Sequence, residues 1–511
     1  MKRELPFGEW ESPVTTDLIT QGLVGLTLIG VDGVEVVWSE LRPSQRGRTA
    51  LLQARLDGSR PEELGGPALN VRTLVHEYGG GAALARRGLR FAVAFEDQRL
   101  YRLPATNPGQ SLPLTEPGDR HADFDLSPDL TQLAAVRERQ LDARPPENAL
   151  VLLPVDGGRE VVVDAGHDFF ASPCFSPDGR ALAYLSWDHP DMPWDGSELW
   201  QVALAGAVPG APRRVAGGRG ESILQPGFSP DGKLTYVSDR SGYWNLYQVD
   251  GGETRALCAG PFDLGRPMWT LGTSSYAFVG GNRIVACATE RGIDRLILID
   301  AERGGILEES LAPDCVSIDS IHAAGDQVAW VGAGPDRPAA LHLLDLATRE
   351  RREVARSVSV ALDPGDLATP EPISFPSGTA QAHAFFYEPR NRACRGTPGT
   401  LPPLIVQCHG GPTASATAAL RLATQFWTSR GFAVVDVNYG GSSGFGRAYR
   451  ERLNGRWGEV DLADCCAAVE HLVASGRVDP ARVAIRGGSA GGFTALSAIT
   501  FTDRFAAAAS H

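Results

Sequence analysis

A strand-rich repeat of about fifty residues, its end near residue 362, and an alternation of strands and helices beyond it predict a two-part fold. After an N-terminal segment of residues 1 to 20, residues 21 to 362 read as an all-β seven-bladed propeller. Residues 363 to 511 read as an α/β domain on a parallel sheet. The length of 511 residues, 43% hydrophobic and 21% charged, is ample for two or more packed units and excludes a disordered or fibrous chain.

The repeat is carried by short apolar strands with a leucine anchor at Leu51, Leu100, Leu150, Leu199, Leu246, Leu296 and Leu341. The gaps are 49, 50, 49, 47, 50 and 45 residues, and several copies run into an Asp-Gly turn, as at Asp57-Gly58 and Asp156-Gly157. A second marker keeps the same period: Ser127-Pro128-Asp129, Ser176-Pro177-Asp178-Gly179 and Ser229-Pro230-Asp231-Gly232 lie 49 and 53 residues apart. Ser, Pro, Asp and Gly in that order suit a type I turn. A period near 48 residues holds four strands of roughly 12 residues each with their turns, which is one propeller blade. His76-Glu77-Tyr78-Gly79-Gly80-Gly81 lacks the second histidine of a zinc helix and reads as a loop. Trp187-Asp188-His189-Pro190-Asp191-Met192-Pro193-Trp194 reads as a stiff loop packed on a neighbouring blade, with a ligand-facing rim as the alternative.

Beyond Leu362-Asp363-Pro364-Gly365 the expected strands are Phe385-Phe386-Tyr387, Leu404 to Cys408, Phe432 to Val437 and Val483-Ala484-Ile485. Helices are expected over 417 to 429, 462 to 474 and 493 to 499. On this frame Gly487-Gly488-Ser489-Ala490-Gly491-Gly492 fits Gly-x-Ser-x-Gly between a strand and a helix. The turn is too sharp for side chains two before and two after the serine, and it lifts the Ser489 hydroxyl out of the sheet as a nucleophile. The Ala490 N–H then faces a developing oxyanion. His409-Gly410-Gly411-Pro412, following the strand that ends at Cys408, offers Gly411 as the second oxyanion donor, with His409 itself a hydrogen-bonded structural residue. Asn438-Tyr439-Gly440-Gly441-Ser442-Ser443-Gly444-Phe445-Gly446 either lines the pocket at the carboxyl edge of the sheet or forms a long turn.

Together, the propeller and the three motifs at His409, Asn438 and Gly487 resemble the prolyl oligopeptidase family of serine peptidases, most closely its acylaminoacyl-peptidase and dipeptidyl-aminopeptidase-like branch. The similarity covers nearly the whole chain and implies an α/β-hydrolase catalytic domain. In prolyl oligopeptidase itself a tyrosine stands where this chain has His409. The histidine points to the acylaminoacyl branch, in which backbone N–H groups matching Gly411 and Ala490 hold the oxyanion. Relatives often carry arginine where this chain has Gly440.

A serine hydrolase also needs a base and an orienting carboxylate, in the order Ser, Asp, His for this fold. After Ser489 come one acid, Asp503, and one histidine, His511, whose spacing does not suit a triad. The triad Asp and His are therefore expected to lie outside this chain, and the α/β-hydrolase domain is expected to be incomplete at the C-terminus, its edge strand opening at Ala506. The expected activity is hydrolysis of short peptides or acyl-peptides through an acyl-enzyme on Ser489. The alternatives are a catalytically inactive propeller-containing fragment or binding module, or an esterase of the same fold.

A net charge of -13 and pI near 5.3 give no electrostatic footprint for nucleic acid or an anionic membrane. The first residues hold no apolar signal core, no window approaches a membrane span, and a cytoplasmic protein is expected. Eight scattered cysteines read as buried free thiols, with no metal and no cofactor expected. Homo-oligomer formation is left open.

Overall fold

Seven antiparallel units, six of four strands and one of five, succeed one another along the chain, at 25–64, 83–113, 119–164, 169–219, 223–258, 276–308 and 317–356. The computed structural model describes residues 2–21, 23–104, 111–142, 144–358 and 362–511. Each unit is a blade, and every anchor leucine lies on the third strand of its blade, for example Leu51 in Arg48–Arg55 and Leu341 in Ala340–Asp345. These leucines are almost wholly buried because the third strand is central in its sheet and packs against the next blade. The Ser-Pro-Asp turns join the first and second strands of blades 3, 4 and 5. Their serine hydroxyls bond the aspartate carboxylates at 2.6 Å at Ser127 and Ser176, and Gly179 N–H closes onto the Ser176 carbonyl at 2.9 Å. Blade 4 departs from the expected four strands: Val208–Pro209 pairs antiparallel with the end of its third strand, Gly196–Ala205, and Arg213–Arg219 pairs with the rest of that strand in the outer place.

The innermost strands surround a central cavity of about 790 Å³, lined by Thr27, Arg86, Asp123, Ser172, Gln225 and Ser320 among others. Four of these strands kink at a residue with positive φ (Asp123, Ser172, Gln225, Ser320), and each kink coincides with a register shift against the second strand. The kinks turn side chains sideways to join neighbouring blades: Asp123 accepts from Ser172 N–H at 2.7 Å, and Gln225 from Ser275 N–H at 2.6 Å. Apolar cores fill the gaps between blades. Blades 1 and 7 meet by the same packing, Leu28, Trp38 and Leu52 against Ala329, Val331 and Leu341, with no strand exchanged between them among the described residues. Val24 N–H donates to the Ser357 carbonyl at 2.7 Å where the chain enters and leaves the ring.

The C-terminal part is a six-stranded sheet of β1 (Glu371–Ser377), β2 (Ala380–Tyr387), β3 (Leu404–Cys408), β4 (Ala433–Asn438), β5 (Val483–Gly487) and β6 (Ala507–Ser510). Their order is β1-β2-β4-β3-β5-β6; β2 pairs antiparallel with both β1 and β4, and the remaining neighbours pair in parallel. Helices α1 (Leu422–Thr428), α2 (Arg447–Glu451), α3 (Val460–Ala474) and α4 (Ala490–Phe501) connect them. Alternate residues of β3 and β4 feed two cores, Val406, Val435 and Val437 toward α3 and α4, and Ile405 and Val434 toward Phe385 and Tyr387. Burial on both faces explains why these strands read as continuous apolar runs.

The expected helix over 417 to 429 is shorter, because the Asn438 amide binds both the N–H and the carbonyl of Ala416, at 2.8 and 3.2 Å, and holds that stretch as loop. Strand β1 and the short helix α2 were not anticipated. The N-terminal segment belongs with this sheet rather than the propeller. Arg3–Glu4 pairs with Cys394–Arg395, Gly8 N–H bonds the Arg430 carbonyl, and Asn391 donates to the Glu11 carbonyl at 2.7 Å.

Helix α2 locks the two parts together. The Asp239 carboxylate, wholly buried in blade 5, accepts from Arg447 at 2.8 Å and from Arg450 at 2.6 Å. The Arg450 guanidinium also lies 3.8 Å from the centre of the Trp244 ring. Beside it, burial pushes the Asp263 carboxyl up to about 6 despite the opposing pull of Arg450.

Candidate active site

Ser489 stands between β5 and α4, exposed, with φ 52° and ψ −120°, a backbone state costing about 1–3 kcal/mol for a residue with a side chain. Its neighbours show why the turn is glycine-rich. A Cβ at Gly487 would lie 2.3 Å from the Gly491 carbonyl oxygen, and one at Gly491 would lie 2.3 Å from the Cys408 carbonyl oxygen. The elbow thus packs main chain against main chain. The Ser489 hydroxyl makes no hydrogen bond among the described residues and is free to meet a ligand.

The loop after β3 lies against this elbow. A Cβ at Gly410 would sit 3.7 Å from Ser489 Cβ and 3.3 Å from the Gly488 carbonyl oxygen. Ala490 begins α4, where its N–H has no carbonyl within the helix to meet. The N–H groups of Ala490 and Gly411 donate no hydrogen bond among the described residues. Unengaged N–H groups beside an exposed hydroxyl are what an oxyanion would require.

His409 is a support. Its Nδ1 lies 2.8 Å from the Gly410 carbonyl and its Nε2 2.8 Å from the Ser442 hydroxyl, both satisfied when Nδ1 carries the proton. The ring stacks on Tyr439 at 4.3 Å, and the Tyr439 hydroxyl donates to the His409 carbonyl at 2.9 Å. Burial holds the imidazole down at about 4, so it is neutral at physiological pH. In the Asn438 to Gly446 loop, Tyr439 and Ser442 are fully buried supports, while Gly444 and Gly446 touch the propeller through Arg291 N–H and the Asp263 carboxylate. No side chain fits at Gly440: a Cβ there would meet Val460 Cγ1 at 2.7 Å and Arg452 Cζ at 2.9 Å.

Two buried carboxylates that sequence reasoning passed over brace this edge. Asp464 accepts from Gly440 N–H at 2.7 Å and from Arg452 at 3.1 Å. Asp461 accepts from Gly458 N–H at 2.7 Å and from Thr494, on α4, at 2.5 Å. Their signal was two acids three apart on the otherwise apolar face of α3, next to Leu462 and Cys465. Asp503 is exposed and makes no hydrogen bond among the described residues. His511 contributes main chain to the elbow: its carbonyl accepts from Ser489 N–H at 2.8 Å and its N–H donates to the Gly487 carbonyl at 3.1 Å. No imidazole of the described residues hydrogen-bonds the Ser489 hydroxyl. No cluster of metal-ligating side chains occurs among them either.

Fold and site together define a propeller-bearing α/β-hydrolase with a serine on a strand-turn-helix elbow. The family model described as "Prolyl oligopeptidase family" matches residues 418–511. The solved structure of a puromycin-hydrolyzing peptidase from Mycobacterium tuberculosis is 38% identical. It superimposes with a TM-score of 0.94 over 100% of this chain and 80% of its own. A puromycin hydrolase structure is 34% identical with a TM-score of 0.92, over 99% and 80% of the two chains. The acylamino-acid-releasing enzyme of Arabidopsis thaliana is 37% identical over 112 residues, which are 22% of this chain and 15% of that protein. The chain belongs to the prolyl oligopeptidase family. The stretch matched in the Arabidopsis enzyme, like those in most of the curated relatives, is a small share of the relative's length.

Proposed function

We propose that this protein is a serine peptidase of the acylaminoacyl-peptidase type, acting on short peptides or acyl-peptides through an acyl-enzyme on Ser489. The observation that carries this reading is the exposed Ser489 hydroxyl on a strained elbow beside the unengaged N–H groups of Ala490 and Gly411. Ser489 Oγ attacks the scissile carbonyl carbon while those N–H groups hold the oxygen that gains negative charge. Collapse expels the amine and leaves an ester on Ser489, which water hydrolyses. The serine proton passes to a base that is not among the described residues. The propeller beside the site favours short chains over folded proteins, and a propeller favours peptides over simple esters. Eight free cysteines suit a reducing compartment, in keeping with a cytoplasmic location. Among the described residues no helix is long and apolar enough to cross a membrane.

A second reading, a peptide-binding chain without catalysis, is favoured by the Ser489 hydroxyl meeting no imidazole among the described residues. Labelling with a fluorophosphonate, comparing the chain with Ser489→Ala, separates the two. The peptidase reading expects one label, lost in the variant. Equal labelling of both proteins, or none, overturns it.

A further inference from the structure

The propeller holds a strained, glycine-clamped loop aimed at the catalytic edge. In the loop, residues 76–81, His76 and Glu77 adopt φ 54° and 63°, and Gly79, Gly80 and Gly81 are also positive. The loop has no room to relax: a Cβ at Gly79 would lie 2.4 Å from the Thr73 carbonyl oxygen, and one at Gly80 would lie 2.3 Å from that of Leu271. Gly79 accepts from Leu271 N–H at 2.9 Å, Gly81 from Asp123 N–H at 2.9 Å, and His76 N–H is held by Glu138 at 2.8 Å. What this backbone strain presents is Tyr78, a large aromatic ring left 66% exposed. Backbone strain of this kind persists where surrounding contacts enforce it, and it concentrates at ligand sites.

The Tyr78 ring lies 5.6 Å from that of Trp269, which in turn lies 4.5 Å from that of Trp194, itself buried. Trp269 crosses to the other domain, its indole N–H donating to the Thr413 carbonyl at 2.7 Å. Thr413 follows Gly411 by two residues, a reach of roughly 7 Å of chain. The three rings therefore form a platform fixed by one hydrogen bond to the loop that bears the second oxyanion donor. It also borders the central cavity, which Gly80, Thr270 and Leu271 line.

We infer that Tyr78, Trp269 and Trp194 form a specificity subsite for an aromatic or large apolar side chain of the peptide, a few residues from the scissile carbonyl. An extended peptide advances about 3.3 Å per residue, so a side chain two or three positions from a carbonyl held at Gly411 reaches the rings. Tyr and Trp faces take such groups by offset or edge contact, and the free part of the Tyr78 ring is the surface they cover. The inference rests on the peptidase reading for its substrate, but not for its measurement.

The test uses the Ser489→Ala chain and calorimetric binding of acetylated tripeptide amides, with one phenylalanine at each successive position, against the trialanine amide. At least one phenylalanine position is expected to bind about tenfold more tightly than trialanine. Tyr78→Ala should reduce that preference to about twofold without changing trialanine affinity, and Tyr78→Phe should restore it. Absence of any phenylalanine preference, or its survival in Tyr78→Ala, overturns the inference. Labelling of Ser489 with a preference indifferent to Tyr78 removes the subsite alone. A preference that Tyr78→Ala abolishes, in a chain that does not label, removes the peptidase reading alone.

Discussion

Replacing Asp239 with asparagine should uncouple the two domains. The Asp239 side chain is 0% exposed, and one of its oxygens accepts from both Arg447 and Arg450, while the other accepts from Ser222 N–H at 2.8 Å. Asparagine has the same shape but offers one acceptor oxygen. In one orientation its amide hydrogens face two guanidinium groups; in the other they face the Ser222 N–H. Two hydrogen bonds to charged groups are worth about 1.5–3 kcal/mol each, and removing one partner of a buried ion pair costs about 3–5 kcal/mol. Arg450 is only 5% exposed and cannot turn to water, so the expected loss is about 3–5 kcal/mol. Urea unfolding followed by tryptophan fluorescence reads it, since Trp244 lies under Arg450. The variant should unfold in two steps where the parent unfolds in one, and a cycle with Arg450→Met should show strong coupling. A change below about 0.5 kcal/mol, the size of an ordinary surface substitution, or simple additivity with Arg450→Met, would refute the reasoning.

Two further outcomes are expected. Gly491→Ala places a methyl 2.3 Å from the Cys408 carbonyl oxygen and 2.8 Å from that of His409, so it should cost about 1–3 kcal/mol in thermal unfolding and abolish fluorophosphonate labelling. Unchanged melting would mean that the elbow has slack. His409 has its pKa depressed from 6.5 to about 4, so its stabilising share is present above pH 6.5 and is lost as pH falls toward 4. By linkage this share is about 2.5 kcal/mol between pH 7 and 4.5. Denaturant midpoints at those two pH values should therefore differ less in His409→Gln than in the parent, and an equal difference would place the histidine in contact with solvent.

What the sequence made legible was whatever repeats or is local. The leucine anchors sit on equivalent third strands, and the Ser-Pro-Asp turns close within four residues, so neither needs distant partners to be recognised. Gly487 and Gly491 of the elbow are equally local, since each is excluded by main chain a few residues away or on the adjoining strand. Helix α2 was invisible for the opposite reason. Its five residues include two arginines whose partner, Asp239, lies more than 200 positions earlier. The Asn438 amide that truncates α1 acts on Ala416 across 22 positions, and no helix propensity records that competition. Tyr78 and Trp269 lie far apart in sequence, and only the ring of blades brings their rings together.

The boundary between blades 1 and 7 is the one junction in the ring that the chain does not cross directly. Elsewhere a peptide connection limits how far two neighbouring blades can part, but here the restraint is apolar contact and the bond from Val24 to Ser357. A ring of this kind is a clip rather than a hoop: it can spring open at one place without unzipping a single ladder of hydrogen bonds, then close on the same surfaces. Both ends of the clip run into the α/β domain, one through the N-terminal segment stitched to Cys394 and Arg430, the other toward β1. The α/β domain thus serves as the handle that holds the jaws in register.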